Sequence, residues 1–139
     1  MHNWKYTDNK ILEVIEKENL SKIQISQGYS NCSIAVIDDN SVIVSDNKTA
    51  EILKKYNIDV LCLNYIPNIK LFNAKNEYSK MNGFIGGAIS RIQDNIIVFG
   101  DLEKIDIKGE IRKFIESKKF NIIEFKNQDV IDYGGVIEI

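Results

Sequence analysis

The chain contains nearly the same stretch twice, and this internal repeat constrains the fold more than any other feature. Residues 28–46 align without a gap with residues 83–101. The identical pairs in this alignment are Gly28/Gly83, Ile34/Ile89, Ile37/Ile92, Asp39/Asp94, Asn40/Asn95 and Asp46/Asp101. Further along, "KYNIDVLCL" resembles "KFNIIEFK". Self-similarity of this kind is typical of repeated structural units, so we expect one kind of module to occur twice.

Each copy predicts the order strand, strand, helix, strand. In the first copy, "CSIAVID" and "SVIVSD" are β-rich runs joined by an Asp39-Asn40 turn, and "NKTAEILKKY" then "IDVLCLN" predict a helix and a third strand. The second copy has "GAISRIQ" and "NIIVFGD" joined by an Asp94-Asn95 turn, then "KGEIRKFIESKK" and "FNIIEFK". We therefore expect two ββαβ modules, at residues 28–64 and 83–127.

The remaining segments predict parts of further modules. Residues 7–27 combine a helix, capped by Thr7 or Asp8, with the alternating "KIQIS", which predicts a strand. Residues 65–82 read as an irregular connector, and connectors of this length in compact domains are usually functional loops. Residues 128–139 predict the opening strand of another module. The fold class is therefore α+β: a single domain, residues 1–139, of about two and a half modules. The alternative is an open three-layer α/β sheet.

The composition gives no sign of a nucleic-acid or membrane partner. The net charge of −2 and the pI of about 5.5 provide no basic surface for nucleic acid or an anionic membrane. No apolar run is long enough to span a bilayer, and the first residues lack the apolar core of a signal peptide. We therefore expect a cytoplasmic protein.

Metal and cofactor sites are not expected either. The sequence has 1 histidine and 2 cysteines, too few for a zinc site. His2 lies at the terminus, without an orienting partner in view. Cys32 and Cys62 both fall in apolar runs predicted as strands, which indicates buried free thiols in a reducing compartment. "NGFIGGA" is not predicted to connect a strand to a helix, so Gly83, Gly86 and Gly87 indicate close backbone approach, not a phosphate site.

The repeated ββαβ order resembles the pentein fold, the β/α-propeller of arginine deiminase, amidinotransferases and dimethylarginine dimethylaminohydrolase. More closely, "KYTD", "QGYSNCSIAVIDDNSVIVSD", "NGFIGGA" and "DYGGVIEI" resemble an uncharacterised, largely clostridial family assigned to that fold. The resemblance covers essentially the whole chain. It implies that the chain corresponds to the C-terminal part of longer family members.

The resemblance also bears on activity. Pentein enzymes place a catalytic histidine before a hairpin strand and a nucleophilic cysteine after a Gly-Gly pair near the C-terminus. The histidine position matches Tyr29, and the cysteine position after Gly134-Gly135 matches Glu138. The resemblance thus implies a non-catalytic module that binds a small cationic guanidino ligand or a protein. The alternative is a guanidino-group-modifying enzyme that uses Cys32 as its nucleophile.

Several residues have both a structural and a ligand-binding interpretation. Asp46 and Asp101, at equivalent positions before helices, predict either N-caps or carboxylates that grip a guanidinium group. Asp132 predicts either a turn before Gly-Gly or a third such carboxylate. Tyr29, its repeat equivalent Phe84 and Glu138 are further candidates for ligand contact.

Two and a half modules leave a propeller open. Unpaired strand edges are usually covered in native proteins. We therefore expect a homodimer, or another chain that completes the ring.

Overall fold

A computed structural model describes residues 7–26, 28–75, 78 and 80–136 of the chain. The chain divides into two compact units, residues 1–30 and 31–139.

In the first unit, α1 (Asn9–Lys17) is a helix. Asp8 is its N-cap, and Oδ1 of Asp8 accepts the N–H of Lys10 at 2.8 Å, as the sequence predicts. The strand predicted at "KIQIS" is wrong, because residues 22–26 form no regular structure. Alternation of apolar and polar residues favours a strand only when another strand supplies hydrogen bonds, and none pairs with this segment in the described chain.

The second unit begins with a module of the predicted order. A helical turn, α2 (Ser30–Ser33), leads into the hairpin. The module then contains β1 (Ile34–Asp38), β2 (Ser41–Val44), α3 (Asn47–Lys54) and β3 (Asp59–Cys62). β1 pairs antiparallel with β2, whereas β3 returns across α3 to pair parallel with β2. Cys62 lies in a strand, β3, as predicted. The strand predicted at Cys32 is wrong at this residue, because Cys32 lies in α2 and β1 begins only at Ile34.

The second module repeats this topology. A connector strand, β4 (Lys70–Leu71), precedes it. The module contains α4 (Ile85–Ala88), β5 (Ile89–Ile92), β6 (Asn95–Val98), a 3-10 helix (Leu102–Lys104), α5 (Glu110–Ser117) and β7 (Asn121–Ile123), and β8 (Ile131–Asp132) follows. β5 and β6 are antiparallel, and β6 and β7 are parallel. The ββαβ order predicted for both repeats is confirmed.

The two hairpins differ at their turns. The first turn consists of Asp39 and Asn40 as predicted, and its first strand has a register shift between Val36 and Asp38. The second hairpin has regular pairing that ends with Ile92 opposite Asn95. Its turn is therefore Gln93-Asp94, not Asp94-Asn95, since a hairpin without the bulge reaches its turn one residue earlier.

The segment between the modules is more ordered than predicted. Its strand β4 pairs parallel with β8, with Lys70 opposite Ile131 and Leu71 opposite Asp132. The strand predicted for residues 128–139 thus exists over two described residues, and its partner is the connector. Glu138 lies outside the described residues.

A single apolar core joins the elements of the second unit. Ile111 and Ile115 occupy the same face of α5 and are fully buried. They pack in one cluster with hairpin, connector and C-terminal residues, including Ile37, Ile43, Ile69, Ile85, Ile89, Ile96, Leu102 and Val130. The described chain is thus a mixed α+β structure with sheets of three, two and three strands and no closed barrel. None of its helices has the length and apolar character that crossing a membrane requires.

Candidate functional site

The second unit has a cleft of about 590 Å³ with aromatic walls. We call it the aromatic cleft; it is lined by Phe99, Phe125, Gln128, Ile131, Tyr133, Gly135 and Val136. Phe99 directly follows β6 and Phe125 follows β7. Because β6 and β7 are parallel neighbours, these two residues lie at the same edge of their sheet. Crevices outside the carboxyl ends of parallel strands are common ligand-binding positions in α/β proteins.

Aromatic rings form a continuous group around Tyr133. The Tyr133 ring lies 5.5 Å from the Phe99 ring, centre to centre, in an edge-to-face arrangement. On its other side, the ring of Phe72 is 4.7 Å away and tilted. Tyr133 and Phe125 nevertheless remain 48% and 46% exposed. Aromatic surface that is ordered by neighbours yet open to solvent is available to a ligand.

Asp101 holds one wall of the cleft in place. This buried carboxylate accepts the N–H of Asn127 at 2.8 Å and the N–H of Glu103 at 3.1 Å. Its own N–H donates to the carbonyl of Gln128 at 3.0 Å. The Asn127 bond, with further help from the Lys126 ammonium, lowers the pKa of Asp101. The carboxylate therefore fixes the loop that carries Phe125 and Gln128.

An ion pair network continues along the same loop. Asp129 receives the ammonium groups of Lys104 at 2.8 Å and Lys70 at 2.5 Å. These hydrogen-bonded charges lower the pKa of Asp129 to about 2. Lys104 also donates to the carbonyl of Asn127 at 3.0 Å. The loop is thus tied both to the 3-10 helix and to the connector strand β4.

Asp132 organises the other wall. Its Oδ2 accepts the N–H of Phe84 and its Oδ1 accepts the N–H of Gly134, both at 2.8 Å. A Cβ atom added at Gly87 would overlap the Asp132 carboxylate, and one at Gly83 would lie 2.6 Å from Asp132 Cβ. The close backbone approach predicted for these glycines occurs at Gly86, where a Cβ would lie 2.4 Å from the carbonyl oxygen of Ile34, whereas at Gly83 and Gly87 the Asp132 side chain fills the space.

Asp46 has the capping geometry of its repeat equivalent. Its Oδ2 accepts the N–H of Thr49 at 2.7 Å, which makes it the N-cap of α3. Hydrogen bonds from Thr49 lower the pKa of Asp46. Asp101 likewise caps the 3-10 helix. The N-cap interpretation of both residues is confirmed.

The other candidate residues are not brought together at the cleft. Cys32 is half-buried in α2, and its carbonyl lies where a Cβ on Gly86 would fall. Phe84, partly exposed, is the residue before α4 and touches Asp132 through its backbone. Tyr29 is 69% exposed in the first unit. Glu138 and His2 lie outside the described residues.

A smaller pocket with both polar and apolar lining residues lies beside the aromatic cleft. We call it the glycine pocket; its volume is about 290 Å³, and its lining includes Asn31, Ile34, Gly86, Ser90, Arg91 and Gly134. Gly135 and Val136 line both cavities. The hydroxyl of Ser90 accepts the N–H of Val136 at 3.0 Å, which holds this shared segment against β5.

Sequence reasoning did not identify the residues that line the cleft. Phe99, Phe125 and Tyr133 are distant in sequence and meet only through the parallel pairing of β6 with β7 and of β4 with β8. A usable signal is that an aromatic residue lies within each of the three segments predicted as strands, "NIIVFGD", "FNIIEFK" and residues 128–139. In the described part of the chain, no group of three or more His, Cys, Asp or Glu residues could hold a metal ion.

Comparison with known proteins places the chain in a family. No curated protein and no solved structure matches it. The sequence profile of one protein family matches residues 1–137, which is almost the full length. The chain therefore belongs to the family of unknown function DUF6873.

Proposed function

We propose that this chain is a non-catalytic binding module of pentein-like fold, whose ligand is a small organic cation held in the aromatic cleft. The observation that carries the proposal is the group of rings from Phe99, Phe125 and Tyr133 around a cavity of about 590 Å³. Cavities of roughly 300 to 1,000 Å³ with mainly apolar walls and a few polar groups are typical of small-molecule sites.

The chemistry of the lining favours a cation. Aromatic faces attract ammonium and guanidinium groups through their quadrupole. None of the seven described lining residues is charged, so no basic side chain in the wall repels a cation. The side-chain carbonyl of Gln128 adds one hydrogen-bond acceptor for an N–H group. A guanidino or alkylammonium compound matches this lining, because it is a cation that carries N–H groups.

The positions of the acidic residues support binding without catalysis. Asp101 and Asp132 direct carboxylate oxygens at backbone N–H groups that build the cleft walls. Asp46 directs its carboxylate at the first turn of α3. Carboxylates engaged in these hydrogen bonds stabilise the backbone. The guanidino-modifying alternative needs them in contact with substrate, close to Cys32, so it has less support.

Two ββαβ modules in one chain support the pentein-like part of the proposal. In such a fold these two modules pack with further modules, and a second copy of the chain can supply them. Light scattering on a sizing column tests this part independently. A dimer is expected if the chain provides its own partner, and a monomer at high concentration would favour a different chain.

A matched pair of ligands tests the cleft. Butylguanidine and butylurea have nearly the same shape, but only butylguanidine is charged at neutral pH. We expect butylguanidine to shift the amide resonances of Tyr133 and Gly135 and to bind about fivefold or more tightly than butylurea, the range of a partly desolvated cation–π contact. Equal binding of both compounds, or binding of neither, would contradict the cation proposal.

Substitutions then locate the site. Tyr133→Leu and Phe125→Leu should each weaken butylguanidine binding by about tenfold, since each removes one aromatic face. Tyr56→Leu is the control, because Tyr56 is similarly exposed at 47% but lies outside the cleft lining. Catalysis is tested separately by incubation with arginine and methylated arginines. Release of ornithine, citrulline or urea, abolished by Cys32→Ser, would establish the enzymatic alternative instead.

A further inference from the structure

We infer that the glycine pocket is a second binding site, specific for a small oxyanion, and that Asp39 occupies its cationic group in the free protein. The inference does not depend on the ligand of the aromatic cleft. It rests on the orientation of Arg91, on the exposure of its ion pair partner Asp39 and on the backbone that lines the pocket.

Arg91 is held in a defined orientation at this pocket. Its Nε donates to the carbonyl of Gln93 at 3.3 Å, and the guanidinium carbon lies 5.0 Å from the centre of the Phe120 ring. Its Nη1 donates to Oδ1 of Asp39 at 3.1 Å. Among the described residues, no protein acceptor contacts Nη2 of this guanidinium. Arginine side chains presented as an ordered, planar fork are well suited to carboxylate and phosphate.

Asp39 is a partner that an oxyanion can replace. It lies in the turn of the first hairpin, and its side chain is 100% exposed, whereas that of Arg91 is 37% exposed. Ion pairs between exposed groups contribute little, because water solvates both charges nearly as well. An anion that enters the pocket can therefore take the place of Asp39 without uncovering a buried charge.

The rest of the lining suits a small anion. Ser90 is almost completely buried, and its hydroxyl accepts the N–H of Val136, which leaves the hydroxyl hydrogen for another acceptor. Gly134 and Gly135 have φ values of 87° and 89°, so the backbone forms the wall without side chains. A Cβ on Gly135 would lie 3.4 Å from the carbonyl oxygen of Gly86, so these two backbone segments are close together. The pocket volume of about 290 Å³ suits a small group. Of the described lining residues, Arg91 alone carries a charge.

Acetate and inorganic phosphate are the probes, each titrated at constant ionic strength with chloride as the balancing anion. We expect chemical shift changes at the amides of Gly86 and Gly135 and at Nε of Arg91. A stronger response to acetate would identify a carboxylate ligand, and a stronger response to phosphate a phosphorylated one. Shifts of the same size with chloride alone would overturn the inference.

Two variants are expected to change the affinity for the anion in opposite directions, and a third variant is a control. Arg91→Gln should weaken binding about tenfold or more, since it removes charge-assisted hydrogen bonds. Asp39→Asn should strengthen binding about threefold, because it removes the competing carboxylate. Asp94→Asn is the matched control at the equivalent repeat position and should change nothing. Since Asp39→Asn alters only an exposed turn, it remains informative even if Arg91→Gln misfolds, and unchanged affinity in Asp39→Asn would contradict the proposed competition.

Discussion

Asp132 accepts the main-chain N–H of Phe84 at 2.8 Å, and this bond joins the C-terminal strand β8 to the start of α4. The other oxygen of the same carboxylate accepts the N–H of Gly134. The side chain is buried, and both hydrogen bonds are partly shielded from water. One carboxylate therefore fixes both the glycine-rich segment and the corner that carries Tyr133.

Replacing Asp132 by alanine should lower the free energy of unfolding by about 2 to 4 kcal/mol, because two partly buried backbone donors lose their acceptor. Chemical denaturation monitored by circular dichroism measures the change. Glu51→Ala is the control, since Glu51 is exposed on α3 and should be neutral to within about 0.5 kcal/mol. A loss in Asp132→Ala no larger than that in Glu51→Ala would show that the two hydrogen bonds contribute little.

Gly87→Ala should destabilise the protein much more than Gly109→Ala. At Gly87 the new Cβ would overlap the Asp132 carboxylate, whereas at Gly109 it would meet no atom within 4 Å. Gly109 has a φ of 67°, so alanine there should cost only about 1 kcal/mol of backbone strain. Gly87→Ala should cost about 3 kcal/mol or more.

A double-mutant cycle isolates the clash. The three atoms nearest to the new Cβ at Gly87 all belong to the Asp132 side chain beyond its Cβ. Gly87→Ala combined with Asp132→Ala should therefore be no less stable than Asp132→Ala alone, a strongly non-additive result. Additive losses would mean that Gly87 is required for another reason.

Lys119→Gly should stabilise the protein by about 0.5 to 1 kcal/mol. Lys119 follows α5 with a φ of 66°, a conformation that glycine adopts readily and that other residues adopt at a cost. In the first module it is Asn57, between α3 and β3, that takes the left-handed conformation, and asparagine suits this conformation better than lysine. Lys113→Gly, within α5 and exposed, is the matched control and should destabilise by about 1 kcal/mol. Thermal unfolding of both variants should show shifts of opposite sign.

Asp129 should contribute to acid unfolding. Its folded pKa of about 2 is lower than the ordinary value of 3.8, because Lys104 and Lys70 favour the charged form. A depressed folded pKa gives stability that is fully present above the unfolded pKa and is lost as the pH falls towards the folded value. The difference in melting temperature between the native protein and Asp129→Asn should thus be largest above pH 5 and vanish near pH 2. A difference that stays constant over this range would exclude the ion pairs as its cause.

The sequence predicted the elements that depend on local periodicity and missed those that depend on a distant partner. Ile111 and Ile115 identify α5 by their spacing alone, and Asp46 identifies the start of α3 by its capping chemistry. Lys70 and Leu71 carry no such pattern, since their strand exists only because β8 pairs with it. The predicted strand at "KIQIS" failed for the converse reason: it has the alternation, but no strand among the described residues pairs with it.

The same distinction between local patterns and distant partners applies to the candidate site. Asp46, Asp101 and Asp132 stand at recognisable turns and helix starts, and each accepts one local hydrogen bond, from Thr49, Glu103 and Gly134 respectively. The cleft was missed because Phe99, Phe125 and Tyr133 belong to three different segments. Their proximity follows from strand pairing and from hydrogen bonds such as that of Asp101 to Asn127.

The pairing of β4 with β8 also has a consequence for synthesis on the ribosome. Lys70 and its ion pair partner Asp129 are 59 positions apart, whereas both hairpins pair residues that are close in the chain. The first module can complete its sheet while the nascent chain is still growing, but β4 must wait until β8 has left the exit tunnel. During that interval the edge of β4 and the aromatic ring of Phe72 are open to chaperones.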